Sequence, residues 1–169
     1  MRKKAKYWFK QILQTAVILL LVSLAVDWWR KPEQPAGFTD EQVHTLSGRQ
    51  FTLTELSRNR TVVVYFWGSW CGVCKYTSPV IDRLHRAGVP VLGVAMQSGS
   101  PEQVQKYMRS QGLDFETVND PKGQTAREWQ VAVTPTVVVM KNGKTVHNTT
   151  GLSSYWGLRS RVWLADRLY

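Results

Sequence analysis

Hydrophobic residues along this chain fall into separate runs, and their spacing predicts the elements. Thr61-Val62-Val63-Val64-Tyr65-Phe66-Trp67 is β-branched and aromatic without polar alternation, the pattern of a strand covered on both faces. Val89 to Met96 predicts a second strand, the neighbourhood of Phe115 to Val118 a shorter one, and Thr136 to Met140 another. Between the first two strands, a helix is predicted from Cys71 toward Ala87, with Pro79 expected to kink it and Gly88 to cap its C-terminus. Ser100-Pro101-Glu102-Gln103 combines an N-cap, a proline at the first helical position and a capping-box partner, so a helix starts there and ends near Gly112. A helix near Gln124 to Trp129 follows. Lys141-Asn142-Gly143-Lys144 supplies a hairpin turn that returns through Val146, and Ser153 or Ser154 caps a final helix to about Leu168. Ahead of the central strand, Leu46 to Phe51 places a glycine turn between two short extended segments, and Thr54 to Leu56 predicts a turn. Strands alternating with helices and closing on a hairpin and a helix indicate an α/β sandwich.

The apolar stretch from Ile12 to Val26 reads differently. Arg2, Lys3, Lys4, Lys6 and Lys10 precede it, and Tyr7 and Trp8 on one side answer Trp28 and Trp29 on the other. Trp8 and Trp28 are separated by about 30 Å of helix, close to the thickness of a hydrocarbon core. Residues 1–31 are therefore expected to be a basic tail and a single transmembrane helix contacting membrane lipid. The basic excess would hold the N-terminus in the cytoplasm and the main domain outside, in the periplasm of a bacterial inner membrane. Arg30-Lys31 and the tryptophan pair suit retention, while Ser23-Leu24-Ala25 leaves a cleaved signal peptide as the alternative. Residues 32–37 read as a proline-containing linker and residues 38–169 as the folded domain.

The chain of 169 residues has 43% hydrophobic residues, enough for one globular domain with a short appendage. Its net charge of +10 suggests nucleic acid until it is divided along the sequence. Residues 1–31 hold seven Lys or Arg against one acid, so most of the excess lies in the N-terminal segment. Elsewhere basic and aromatic residues do not interleave as a nucleic-acid surface requires, and nucleic-acid binding is not expected.

Both cysteines lie in Trp70-Cys71-Gly72-Val73-Cys74, directly after the central apolar strand and at the start of the helix. A closed zinc site needs four ligands, and there is no second cysteine pair to supply them. A static disulfide across so short a loop constrains the unfolded chain weakly, so a redox dithiol is the better reading. Cys71 at a helix N-terminus is favoured as thiolate and is the attacking sulfur. Cys74, one turn on, resolves the mixed disulfide that Cys71 forms. Lys75 is expected mainly as a solvated charge and Trp67 as a packed core residue. The three histidines, His44, His85 and His147, form no ligand pair with the dithiol in sequence, and no metal site or cofactor is assigned. Because soft thiolates suit Cu(I), a copper-binding or copper-delivery module on the same two sulfurs is the alternative function.

Phe66-Trp67-Gly68-Ser69-Trp70-Cys71-Gly72-Val73-Cys74, the helical Pro79, Thr134-Pro135 before a strand and Lys141-Asn142-Gly143 together resemble the thioredoxin superfamily. The interval from the dithiol to Thr134-Pro135 is longer than in thioredoxin by about one strand-helix unit. With the leading hairpin, this resembles the TlpA and ResA branch of extracytoplasmic thioredoxin-like proteins, and within it the suppressor for copper sensitivity proteins. The resemblance implies a three-layer thioredoxin-like sandwich with an N-terminal hairpin and an inserted strand-helix unit. It also implies a thiol-disulfide oxidoreductase, acting as reductant or isomerase on protein cysteines, recharged by a DsbD-like membrane electron donor and linked to copper tolerance. By the same resemblance Trp70 shields the dithiol, Gly72 and Val73 are its spacer, and Pro135 is a cis proline beside it. Thr134 then offers backbone hydrogen bonds to an incoming peptide. Two departures stand out: Thr77 occupies a position where many TlpA-like reductants carry glutamate, and Tyr65 stands where thioredoxin has a buried aspartate.

Overall fold

The computed structural model describes residues 2–29 and 32–169, which divide into one unit up to Lys31 and another from Pro32 to Tyr169. The first unit is a single helix, α1 (Arg2–Trp29). Among the described residues no helix is long and apolar enough to cross a membrane, so the expected transmembrane helix is not borne out. Lys10, Gln11, Gln14 and Thr15 interrupt the first half of α1, and the unbroken apolar run from Ala16 ends at Ser23. The expected basic flank Arg30-Lys31 and the side chains of Trp28 and Trp29 lie outside the described residues.

The second unit is built on β3 (Thr61–Trp67), in which every residue is buried. Its side chains alternate between two cores, as the period of a strand demands. Val63, Tyr65 and Trp67 point to one, with residues of α3 (Cys74–Arg86), α4 (Pro101–Gln111) and α6 (Tyr155–Leu168). Val64 and Phe66 point to the other, with Val43 of β1 (Val43–His44), Leu53 of α2 (Leu53–Ser57) and Ala126 of α5 (Gln124–Glu128). A mixed five-stranded sheet lies between these layers, in the order β5 (Glu116–Asp120), β4 (Val91–Met96), β3, β6 (Thr136–Lys141), β7 (Lys144–Thr150). Strands β3, β4 and β5 run parallel; β6 and β7 are antiparallel to their neighbours. This is the thioredoxin-like α/β fold. The unit β5–α5, between the dithiol and Thr134-Pro135, brings β5 to the edge of the sheet.

Local chemistry sets several boundaries. Ser100 accepts from Gln103 N–H while the Gln103 side chain returns to the Ser100 N–H, and Gly112 ends α4 in the left-handed region at φ 65°. Ser154 caps α6 by accepting from Gly157 N–H. The turn expected over Thr54 to Leu56 is instead helix α2, started by a reciprocal capping box between Thr52 and Glu55. Helix α3 begins at Cys74, not Cys71, because Cys71, Gly72 and Val73 form a turn before the helical ladder starts.

Residues 32–37, expected as a free linker, dock on the domain. Glu33 N–H donates to Trp129 O at 3.1 Å, and the Gln34 side chain donates to Gly143 O at 2.7 Å and accepts from Thr145 N–H at 2.9 Å. The leading hairpin of β1 and β2 (Gln50–Phe51) reaches β5: Leu46 N–H donates to Thr117 O at 2.8 Å, Ser47 Oγ donates to Glu116 at 2.6 Å, and Arg49 pairs with Glu116 at 3.2 Å.

Burial pushes the Glu116 carboxyl upward, but hydrogen bonds from Ser47, Thr45 and Arg49 and the Arg49 charge outweigh it, so its pKa is lowered. A lowered folded-state pKa gives stability that is present above the ordinary glutamate pKa and lost as pH falls through the folded value. Acid titration of unfolding is expected to show the Glu116→Gln variant losing less stability than wild type as pH is lowered from 5 to 3, by up to about 1 kcal/mol.

Candidate active site

The dithiol stands where β3 hands over to α3. The turn after Trp67 is closed by Cys71 N–H donating to Gly68 O at 3.1 Å, and Ser69 N–H donates to Ser98 Oγ at 2.9 Å. Ser98 in turn donates to Met96 O at 3.0 Å, so the end of β4 fixes the loop from the neighbouring strand. Trp70 lies over Gly68 and donates its indole N–H to Met96 O at 3.0 Å, while the residue remains 58% exposed. Val73 and Gly72 are exposed beside it.

Cys71 and Cys74 are joined as a disulfide, with Cα atoms 5.2 Å apart. Their surroundings are unequal. Cys71 is 5% exposed and Cys74 fully buried, and Cys74 N–H donates to Cys71 Sγ at 3.2 Å. A backbone donor at a helix start lowers the free energy of a thiolate on Cys71, and the unpaired amides of the first turn add to it.

Behind the pair, Tyr65 of β3 shares a buried hydrogen bond with Ser78 Oγ of α3 at 2.9 Å. Burial, the largest effect, drives the Tyr65 hydroxyl pKa far up against the Ser78 bond, so the phenol stays neutral. Thr77 is also fully buried. Tyr65 and Ser78 were not predicted as a pair; a lone tyrosine in an aliphatic strand was the available signal.

Thr134-Pro135 is a cis peptide. Thr136 pairs with Phe66 across β6 and β3, which sets Pro135 opposite the end of β3 from which the dithiol loop leaves. Pro135 O accepts from Gly151 N–H at 2.8 Å. Lys75 is exposed, and Trp67 is a core residue stacked on Tyr107 with ring centroids 5.6 Å apart. The structure scatters the histidines: His44 is on β1, His85 in the last turn of α3, and His147 on β7 against Tyr169. Among the described residues no group of three or more His, Cys, Asp or Glu is placed to hold a metal.

Residues 36–149 match the AhpC/TSA family over most of this domain. The chain belongs to that family. As an AhpC/TSA protein it is 40% identical over 163 residues to a thioredoxin-like protein of Haemophilus influenzae, covering 96% of this chain and 98% of the relative. It is 30% identical over 154 residues to the thiol-disulfide oxidoreductase ResA of Geobacillus thermodenitrificans, covering 83% and 87%. Among solved structures, a secreted Mycobacterium tuberculosis disulfide oxidoreductase homologous to E. coli DsbE matches with a TM-score of 0.63 at 25% identity, over 76% of this chain and 98% of that one. This AhpC/TSA protein is a thioredoxin-like thiol-disulfide oxidoreductase with a C-x-x-C pair, and its relatives include the ResA proteins.

A Cβ added at Gly68 would meet the Trp70 ring at 2.6 Å. Gly68→Ala is expected to push the indole off the loop and break its bond to Met96 O, at a cost of about 1–3 kcal/mol. The Trp70 indole N–H resonance, followed by NMR, then moves toward its solvent-exposed position.

Proposed function

We propose that this protein exchanges disulfides with protein cysteines outside the cytoplasm as a reductant or isomerase, with Cys71 attacking and Cys74 resolving. The observation that carries this reading is the asymmetry of the pair: Cys71 Sγ receives the Cys74 N–H and has the greater exposure, while Cys74 is sealed beneath it. The Cys71 thiolate forms a bond to one sulfur of a substrate disulfide, and the other substrate sulfur leaves as a thiolate. Cys74 then loses its proton, bonds to Cys71 Sγ and releases the second substrate sulfur. Trp70, Gly72 and Val73 form the surface against which the substrate lies, and the backbone at Thr134 before Pro135 pairs with it as an added strand. The spacer Gly72-Val73 has no histidine to stabilise the thiolate, which argues for a potential of about −160 to −260 mV, between strong reductants and strong oxidants. A DsbD-like membrane donor returns the pair to its dithiol form, and a role in copper tolerance would be repair of thiols that the metal has oxidised.

The basic residues followed by the apolar half of α1 have the order of an export-directing segment. We read this segment as the route by which the domain leaves the cytoplasm.

Cys74→Ser is expected to accumulate mixed disulfides with cellular proteins on non-reducing gels, while Cys71→Ser does not. Equal trapping by both variants removes these roles, and tight Cu(I) binding without disulfide turnover favours the copper module. Equilibration with glutathione buffers is expected to give the midrange potential, with the pair reduced in cells; a strongly oxidising value with a disulfide in cells makes the protein an oxidase. Reporters that work only outside the cytoplasm are expected to be active when fused after Tyr169. Retention in alkaline-washed membranes identifies a tether, and a soluble product beginning near Val26 identifies a cleaved segment.

A further inference from the structure

We propose that the Thr77 hydroxyl is the hydrogen-bond donor that the Cys74 sulfur gains when the disulfide opens. The inference rests on the assignment of Cys74 as the resolving sulfur. Thr77 is fully buried on α3, and its Oγ1 has no hydrogen-bond partner among the described residues. A helical threonine ordinarily returns this hydroxyl to the carbonyl four residues earlier. Here the Val73 carbonyl accepts the backbone N–H groups of Tyr76 and Thr77 but not the side chain. Helical side chains lean toward the N-terminus and cover the residue three or four positions before them. By this spacing Thr77 and Ser78 are the residues that follow Cys74 on its face of α3, and the Ser78 hydroxyl is already paired with Tyr65.

In the disulfide, the Cys74 sulfur is a poor acceptor with its bonding directed at Cys71, and the Thr77 hydroxyl is left unpaired among the described residues. Reduction adds two electrons and two protons, parts the sulfurs, and turns Cys74 into a thiol and, transiently, a thiolate. That sulfur accepts the Thr77 hydrogen. In the resolving step the Cys74 proton passes to solvent water, the Cys74–Cys71 bond forms, the Cys71–substrate bond breaks, and the departing substrate thiolate takes up a proton from solvent. Thr77 takes no proton. It holds the developing charge with a neutral dipole, in a pocket where Tyr65 is also neutral and no carboxylate hydrogen-bonds to either hydroxyl.

The decisive comparison uses the full chain with Thr77→Val, which keeps the shape and removes the hydroxyl, beside Thr77→Ser, which keeps the hydroxyl. In glutathione buffers Thr77→Val is expected to shift the equilibrium toward the disulfide by three- to tenfold, the upper figure being about 30 mV. Thr77→Ser is expected to stay within twofold of wild type. Thr77→Val should also lower the thermal midpoint of the reduced protein without lowering that of the oxidised one, whereas a packing role alone moves both together. Thr77→Ala gives the same comparison should the valine variant not fold. An unchanged equilibrium in the variants lacking the hydroxyl, or Thr77→Ser behaving like Thr77→Val, overturns the inference while leaving the dithiol assignment intact. Failure of Cys74→Ser to trap partners overturns the assignment itself.

Discussion

The burial of β3 on both faces is the constraint from which the site follows. All seven residues from Thr61 to Trp67 are enclosed, and those from Val63 to Trp67 alternate between two cores, so a slip of one residue would exchange the contents of both. Register with β4 and β6 is fixed for the same reason. The strand therefore ends at one place, and the turn from Gly68 must begin there. The cysteines inherit their position from an apolar strand that does no chemistry itself.

Neutral groups surround the buried sulfur. Tyr65 and Ser78 satisfy each other. The acid further along α3, Asp82, is also buried, but it accepts from Asp114 N–H at 2.7 Å and from Arg86 at 2.6 Å and is committed to joining α3 to the approach of β5. The helix thus carries a carboxylate two turns beyond Cys74 that serves architecture. A pocket with hydroxyls in place of an ionised acid avoids the desolvation cost of a buried charge, and it gives up the proton acceptor that such an acid provides.

Local signals were legible in the sequence because they act over a few residues. The unbroken β3 run, the Ser100 capping box, the Asn142-Gly143 turn and the dithiol spacing each state their own geometry, whereas the cis bond at Pro135 is implied only by the family resemblance. The errors come from bonds between distant residues. Nothing near Gln34 signals its bonds to Gly143 and Thr145, which turn a linker into part of the domain. The Ser69 and Trp70 bonds to Ser98 and Met96 come from β4, and the Tyr65–Ser78 pair requires the strand and helix to be superposed. Thr52 and Glu55 did carry a capping signal, but the helix it starts has only five residues and reads like a turn. The N-terminal apolar stretch has the flanks expected of a span, but among the described residues no helix is long and apolar enough to cross a membrane.

The leading hairpin has a consequence for solubility. Placing β5 at the outside of the sheet leaves a row of backbone groups able to pair with another chain, a known route to aggregation. Leu46 N–H occupies the Thr117 carbonyl on that row, and Ser47 and Arg49 hold Glu116 beside it. Gln105 of α4 donates to Leu46 O at 2.7 Å and keeps this cover in place. The hairpin is therefore a guard on the exposed border of the sheet, occupying backbone groups that would otherwise be free to pair with another chain.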